Sequence, residues 1–258
     1  MSLKVTGVVT AGVLVAGGAA VLAQSGTARD SKIASDQGGL LVSPLQVDRP
    51  AAAGATDTFT VVNRSPEALD VEVKARPWSQ STETGDVAPN RRSTLGDVRV
   101  DGGSFALAPG QSRAVNVTLT SGRSLYGALE VVGLPTDVAK RKGVVTGYRL
   151  VGPLRYQPAQ KTYKLQVSAP RVRDGKLVLP VRSRGNTNAT VSASATVKGA
   201  TGTRRGSDRA PILPGKRVNL ALLSAKNLRA GSYKVRATVK QGTESVKVSR
   251  TLRIKRGG

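Results

Sequence analysis

The run Leu69-Asp70-Val71-Glu72-Val73-Lys74-Ala75-Arg76 alternates apolar and charged residues with a period of two. A strand puts successive side chains on opposite faces, so this run has one face for a core and one for water. The same period recurs with Phe59 and Val61, with Val115, Val117 and Leu119, and with Leu177, Leu179 and Val181. It returns where Tyr233, Val235, Ala237 and Val239 alternate with Lys234, Arg236 and Lys240. Gly, Pro, Asn and Asp separate the runs, which is the pattern of an all-β chain. No amphipathic segment of helical period lies between them, so an α/β fold is excluded. Only two Phe, one Trp and five Tyr occur in 258 residues. The core must therefore be built from Val, Leu, Ala and Ile, side chains that pack well on a pleated surface.

The alternation divides the chain. Lys4 precedes an apolar stretch that ends Val21-Leu22-Ala23, with small residues where a signal peptidase requires them. Residues 1–23 thus read as an export signal, with a retained membrane helix as the alternative, and either places the body outside the cytoplasm. Residues 24–38 read as a flexible lead. Residues 39–151 form a first strand-rich unit, 152–161 a proline-containing linker and 162–256 a second unit. Each unit has about 100 residues and roughly seven short strands, the size of an immunoglobulin-like β-sandwich. The expected fold is two such sandwiches in tandem. Ala108-Pro109-Gly110-Gln111 followed by Ser124-Leu125-Tyr126, and Leu213-Pro214-Gly215-Lys216 followed by Gly231-Ser232-Tyr233, look like one module used twice. Within the units, Leu40 to Val47 reads as a first strand interrupted by Pro44. Ser79 to Arg92 reads as a long polar loop, and Val144 to Val151 as the last strand of the first unit.

Cysteine and histidine are both absent. Without them there is no disulfide, no thiolate nucleophile, and neither the commonest general base nor the commonest metal ligand. No phosphate-binding loop, dinucleotide fingerprint or nucleophile elbow is present. Asp70 and Glu72, flanked by Lys74 and Arg76, read as a solvated charged face, and Asp97 and Asp101 as loop acids. The expectation is a non-catalytic protein with no cofactor, metal or small-molecule substrate.

Of the formal net charge of +24, +20 falls between Gln160 and Gly258, where Asp174, Asp208 and Glu244 are the only acids. If Tyr233 to Lys240 pairs with Val246 to Lys255, then Lys234, Arg236, Lys240, Lys247 and Arg253 share one sheet face. Arg204, Arg205 and Arg209 would add a basic loop. Such a face can hold a polyanion, either an anionic wall polymer or an anionic membrane surface; a merely solvated face is the alternative. Nucleic acid is disfavoured, because Tyr163 and Tyr233 both fall on the inward parity and leave no stacking platform. Arg250 falls on the apolar parity of the last strand and implies a bulge, an inward ion pair or a shifted register. In the first unit, Val145, Gly147, Arg149 and Val151 mark a candidate edge that could accept a partner's strand by β-augmentation; pairing within its own sheet is the alternative.

Leu40-Leu41-Val42-Ser43-Pro44, then Val62-Asn63-Arg64-Ser65, then Leu69 to Ala75, resembles the opening of the periplasmic pilus-chaperone domain. It is also similar to the N-terminal domain of Gram-positive proteins that bind WxL surface proteins. Phe105-Ala106-Leu107-Ala108-Pro109-Gly110-Gln111-Ser112 and Tyr126-Gly127-Ala128-Leu129-Glu130-Val131 fit the same pattern, so the resemblance covers Gly39 to Val151. The second half resembles a generic bacterial immunoglobulin-like domain. The likeness implies a chaperone-like or pilus-assembly protein of the periplasm, cell wall or exterior, bound to a surface or pilus-type protein. Pilus chaperones clamp a subunit's C-terminal carboxylate with an Arg in the first strand and a Lys in the last. Here those places offer Pro44, Leu45 and Gln46, and Arg149.

Overall fold

The computed structural model describes residues 39–200, 202–226 and 228–254, and the expected signal and lead lie outside the described residues. The chain is all-β, in two immunoglobulin-like sandwiches. The first contains β1 (Leu40–Ser43), β2 (Val47–Pro50), β3 (Thr56–Asn63), β4 (Leu69–Gln80) and β5 (Val87–Pro89). It continues with β6 (Val98–Asp101), β7 (Ser104–Leu107), β8 (Ser112–Leu119), β9 (Leu125–Pro135) and β10 (Tyr148–Gln157). One sheet has the order β1-β3-β8-β6; the other runs β2-β10-β9-β4-β5, with β7 also on β4.

The alternation decides which side faces in. Leu69, Val71, Val73 and Ala75 of β4 are buried while Asp70 and Glu72 are exposed. Phe59, Val61, Val115, Val117 and Leu119 cover them from the facing sheet with no exposed surface. Complete burial of a side chain like Phe59 contributes roughly 1.5–3 kcal/mol.

The expected first strand, Leu40 to Val47, is two strands. β1 pairs antiparallel with β3, the chain turns at Pro44, and β2 then pairs parallel with β10 in the opposite sheet. Proline has no N–H to give to a ladder, so the crossing between sheets falls there. The expected linker is also shorter. Gly152 to Gln157 form the second half of β10, where Leu154 and Tyr156 are fully buried. Pro153 is tolerated there because the strand lies near the sheet edge.

The second sandwich contains β11 (Leu165–Val167), β12 (Arg171–Arg173), β13 (Lys176–Ser183), β14 (Thr190–Gly199) and β15 (Gly202–Pro211). β16 (Arg217–Ser224), β17 (Gly231–Gln241) and β18 (Glu244–Ile254) complete it. β13 pairs with β11 and β12 along one edge and with β16 along the other; the facing sheet runs β15-β14-β17-β18. The segment expected as a basic loop, with Arg204, Arg205 and Arg209, is β15. Its sequence lacks apolar alternation because β15 is an edge strand, exposed for most of its length. The pairing of β17 with β18 is continuous, so Arg250 marks no bulge and no register error. It lies opposite Val235 on the inward parity yet remains exposed, because β18 is the other edge of this sheet.

Ser79 to Arg92, expected as a loop, is the end of β4, a tight turn and β5. The turn ties the sandwiches together. Gln80 Nε2 donates to Pro211 O (2.8 Å), and Leu213 N donates to Gln80 Oε1 (3.0 Å). Asn219 N donates to Thr82 O, and Asn219 Nδ2 donates to Glu83 Oε2, both at 2.8 Å. Glu83 also pairs with Arg173 at 2.7 Å. Each neutral bond contributes about 1 kcal/mol net, and one to a charged group about twice that. The Gln80→Ala protein is expected to remain folded but to broaden the distance distribution between spin labels at Ser112 and Ser249, measured by pulsed electron resonance.

Candidate functional site

The outward residues of β4, β9 and β10 build the first candidate surface. On β10 these are Arg149, Val151, Pro153 and Arg155, which the register sets beside Val132, Glu130, Ala128 and Tyr126 of β9. β2 pairs with β10 only at Leu154–Gln157. At Gly152 the backbone oxygen of Leu45 comes so close that a Cβ would lie 1.7 Å from it, so only glycine fits. Along Tyr148–Val151 no described strand pairs with the other edge of β10.

Two of the four expected edge residues, Arg149 and Val151, lie in that open stretch. The other two do not. Val145 is buried at 8% exposure and precedes the strand, as does Gly147, against whose backbone the Leu134 side chain packs. The positive φ of Gly143 turns the chain ahead of them, so the ladder starts at Tyr148.

Beside this edge lies a carboxylate that the sequence reasoning passed over. Glu130 is 3% exposed on the outward parity of β9. Arg149 Nε donates to its Oε1 at 2.7 Å, Arg91 Nε to Oε1 at 3.0 Å and Arg76 Nε to Oε2 at 3.0 Å. Arg76 also donates to the carbonyls of Arg91 and Ser93, which pins the segment after β5. Burial pushes the Glu130 carboxyl up, but the hydrogen bonds and charge of Arg149, with those of Arg91 and Arg76, outweigh it and hold it below its ordinary value. The available signal was one acid within the apolar run Ala128-Leu129-Glu130-Val131-Val132.

Toward the second sandwich the surface descends into a cleft of about 730 Å³. Its walls include Trp78, Val151, Pro153 and Leu45 from the first sandwich and Ile212 and Leu213 from the second. Arg155 lies at its edge, paired with Asp48 at 3.6 Å. Tyr126 donates to Gln157 Oε1 (3.0 Å), and desolvation raises its phenol pKa above the ordinary value. Among the described residues no group of three or more His, Cys, Asp or Glu could hold a metal.

The expected basic residues lie elsewhere, on the outer face of β15-β14-β17-β18. Lys234, Arg236 and Lys240 of β17 share it with Lys247 and Arg253 of β18, as expected from their parity. Arg205 and Arg209 of β15 join them through β14, where they oppose Thr196 and Ser192. Arg204 does not: it opposes Val197 and points to the other side. Lys198 of β14, opposite Lys234, was missed because the strand pairing that brings it there crosses from β14 to β17.

The fold is similar to that of a chain in a fimbrial chaperone–adhesin complex. A chain from a chaperone–tip adhesin complex, described as vital for synergistic activation of CFA/I fimbriae biogenesis, is 13% identical, with 83% of this chain and 98% of that chain covered and a TM-score of 0.52. The class 5 fimbriae chaperone CfaA is 15% identical, with 83% and 98% covered and a TM-score of 0.49. The CsuC–CsuE chaperone–tip adhesion subunit pre-assembly complex of Acinetobacter baumannii gives 15% identity, 81% and 97% covered and a TM-score of 0.46. No family model and no curated protein matches the chain.

Because the folded pKa of Glu130 is depressed, its contribution to stability is full above the ordinary value of 4.5 and is lost as pH falls through the folded pKa. Glu130→Gln leaves Arg76 and Arg149 facing each other without the carboxylate. At neutral pH it is expected to cost about 1–3 kcal/mol, less than a fully buried pair because the arginines are partly solvated. It should also flatten the acid limb of stability below pH 4.5, as measured by urea titration across pH.

Proposed function

We propose that this chain is an exported, non-catalytic, chaperone-like protein that holds an extended segment of another surface or pilus-type protein along β10. The observation that carries this reading is the open edge of Tyr148–Val151, the part of β10 left unpaired by β2. An extended segment added there gains main-chain hydrogen bonds whatever its sequence. Its alternate side chains then meet Arg149 and Val151, and the apolar walls of the cleft beyond them supply selectivity. The cluster around Glu130 holds Arg149 at the edge with its guanidinium already oriented, which lowers the entropy lost on binding.

The reading favours an extended apolar segment over a folded ligand. A single open strand of four residues offers a ladder, and a cleft of about 730 Å³ is too small for a domain. The protein would act outside the cytoplasm, in the periplasm or at the cell wall, where surface subunits are still unpaired.

A photo-crosslinking residue in place of Val151 tests this in cells that produce the protein. It is expected to yield an adduct with an exported protein, mapped by peptide sequencing to a segment of alternating apolar residues. The same residue in place of Ser112, an exposed position on the other sheet, should give no such adduct. Equal adducts from both positions, or none from Val151, would overturn the reading.

A further inference from the structure

We propose that the outer face of the second sandwich is a binding trough for a linear phosphate polymer. The trough runs along β14. Its floor is the short hydroxyl row Ser192, Ser194 and Thr196, outward residues of a strand whose inward residues Val191, Ala193, Ala195 and Val197 are buried. Long cationic side chains stand on the strands to either side. Arg209 of β15 and Lys240 of β17 face each other across Ser192, and Arg205 and Arg236 face each other across Thr196. Between the two cation pairs, Ser207 and Thr238 flank Ser194, so hydroxyls line the middle of the trough. The walls are two strand spacings apart, about 10 Å, and the cation pairs recur at four residues, about 13 Å. That width admits one extended polymer chain.

Two adjoining depressions, of about 790 and 510 Å³, share Ser194, Ser207 and Thr238 and together follow this line. Lys247 of β18 extends the first, and Arg209 lines both the second and the cleft between the sandwiches, so the trough opens toward that cleft.

The distribution of acids separates this face from an ordinary solvated one, where both signs are interspersed. All three acids of the second unit are directed away from it. Asp208 points inward and accepts from Ala221 N at 2.6 Å. Asp174 is in the turn between β12 and β13, paired with Arg173. Glu244 shares the inward parity of Val246 and Val248 at the start of β18. Among the described residues none of the trough cations has an acidic partner within salt-bridge distance.

The lining selects among polyanions. Arginine forks pair bidentately with the two non-bridging oxygens of a chain phosphate, and the hydroxyl row supplies further donors along the tetrahedral backbone between them. A membrane surface is disfavoured because this face has no apolar side chain to insert: the exposed large hydrophobics, Val144 and Val172, lie elsewhere. Nucleic acid is disfavoured because Tyr233 is buried and no aromatic ring lines the trough.

Calorimetric titration of the purified protein with inorganic polyphosphate, over a salt series, tests the proposal. Binding is expected, with log K falling against log salt at a slope of about −3, as for four phosphate contacts on a single strand. Replacing Arg205, Arg209, Arg236 and Lys240 by serine should weaken it more than about tenfold and flatten the slope. Replacing Arg171, Lys216, Lys226 and Arg229, exposed cations off this face, removes the same charge and should change it less than about threefold. Ser194→Asp, one acid on the floor with the net charge nearly intact, should weaken binding comparably to the quadruple change. Circular dichroism verifies that each variant is folded. Equal losses from both quadruple variants, an unaffected Ser194→Asp protein, or no binding at low salt would each overturn the trough. Tighter binding to anionic vesicles or to single-stranded oligonucleotides at matched charge would overturn the polymer assignment.

Discussion

Each strand of a two-sheet sandwich buries one face only, and everything else in this molecule follows from how the second face is used. With so few aromatic rings, the inward faces are closed mostly by short branched side chains in tight alternation: Val61, Val115, Val117 and Leu119 against Leu69, Val71 and Val73. In the second unit Val191, Ala193 and Ala195 face Leu179, Val181 and Leu220. Slipping any of these strands by one residue would turn its charged set into the core. The alternation therefore pins the register, and the register in turn decides which polar side chains become neighbours on the outer faces.

On the first unit the outer face is interrupted by one buried acid. A carboxylate at this depth is tolerated only when its lone pairs are used, and three arginines from β4, β10 and the segment after β5 use them. The cluster fixes Arg149 where β10 loses its second neighbour. Structural support and the open edge are thus coupled through one residue. The turn from Gln80 to Gly85 has a similar double role: it closes the β4–β5 hairpin and holds Asn219 and Leu213 of the second unit, which defines the cleft between them.

The two outer surfaces differ in chemistry. The surface around β10 offers backbone groups and apolar walls, suited to an extended polypeptide. The face of β15-β14-β17-β18 offers cations and hydroxyls with acids turned away, suited to phosphate. They meet at Arg209, which lines both the cleft and the trough.

Period-two alternation in the amino-acid sequence was enough to establish an all-β chain, two units of sandwich size, the inward residues of β3, β4, β8, β13 and β17, and a common face for Lys234, Arg236, Lys240, Lys247 and Arg253. Local alternation works because it records a backbone geometry that each strand has by itself. It could not reveal β15, which as an exposed edge has no apolar period, nor the split of the first strand between two sheets. It misjudged where β10 begins and ends, because Val145 turns inward ahead of the ladder while Leu154 and Tyr156 continue it. Glu130 with its three arginines, the pairs Arg205–Arg236 and Arg209–Lys240, and the contact of Glu83 with Asn219 join residues 19 to 136 positions apart. Such meetings depend on strand order and register, which only the folded chain decides.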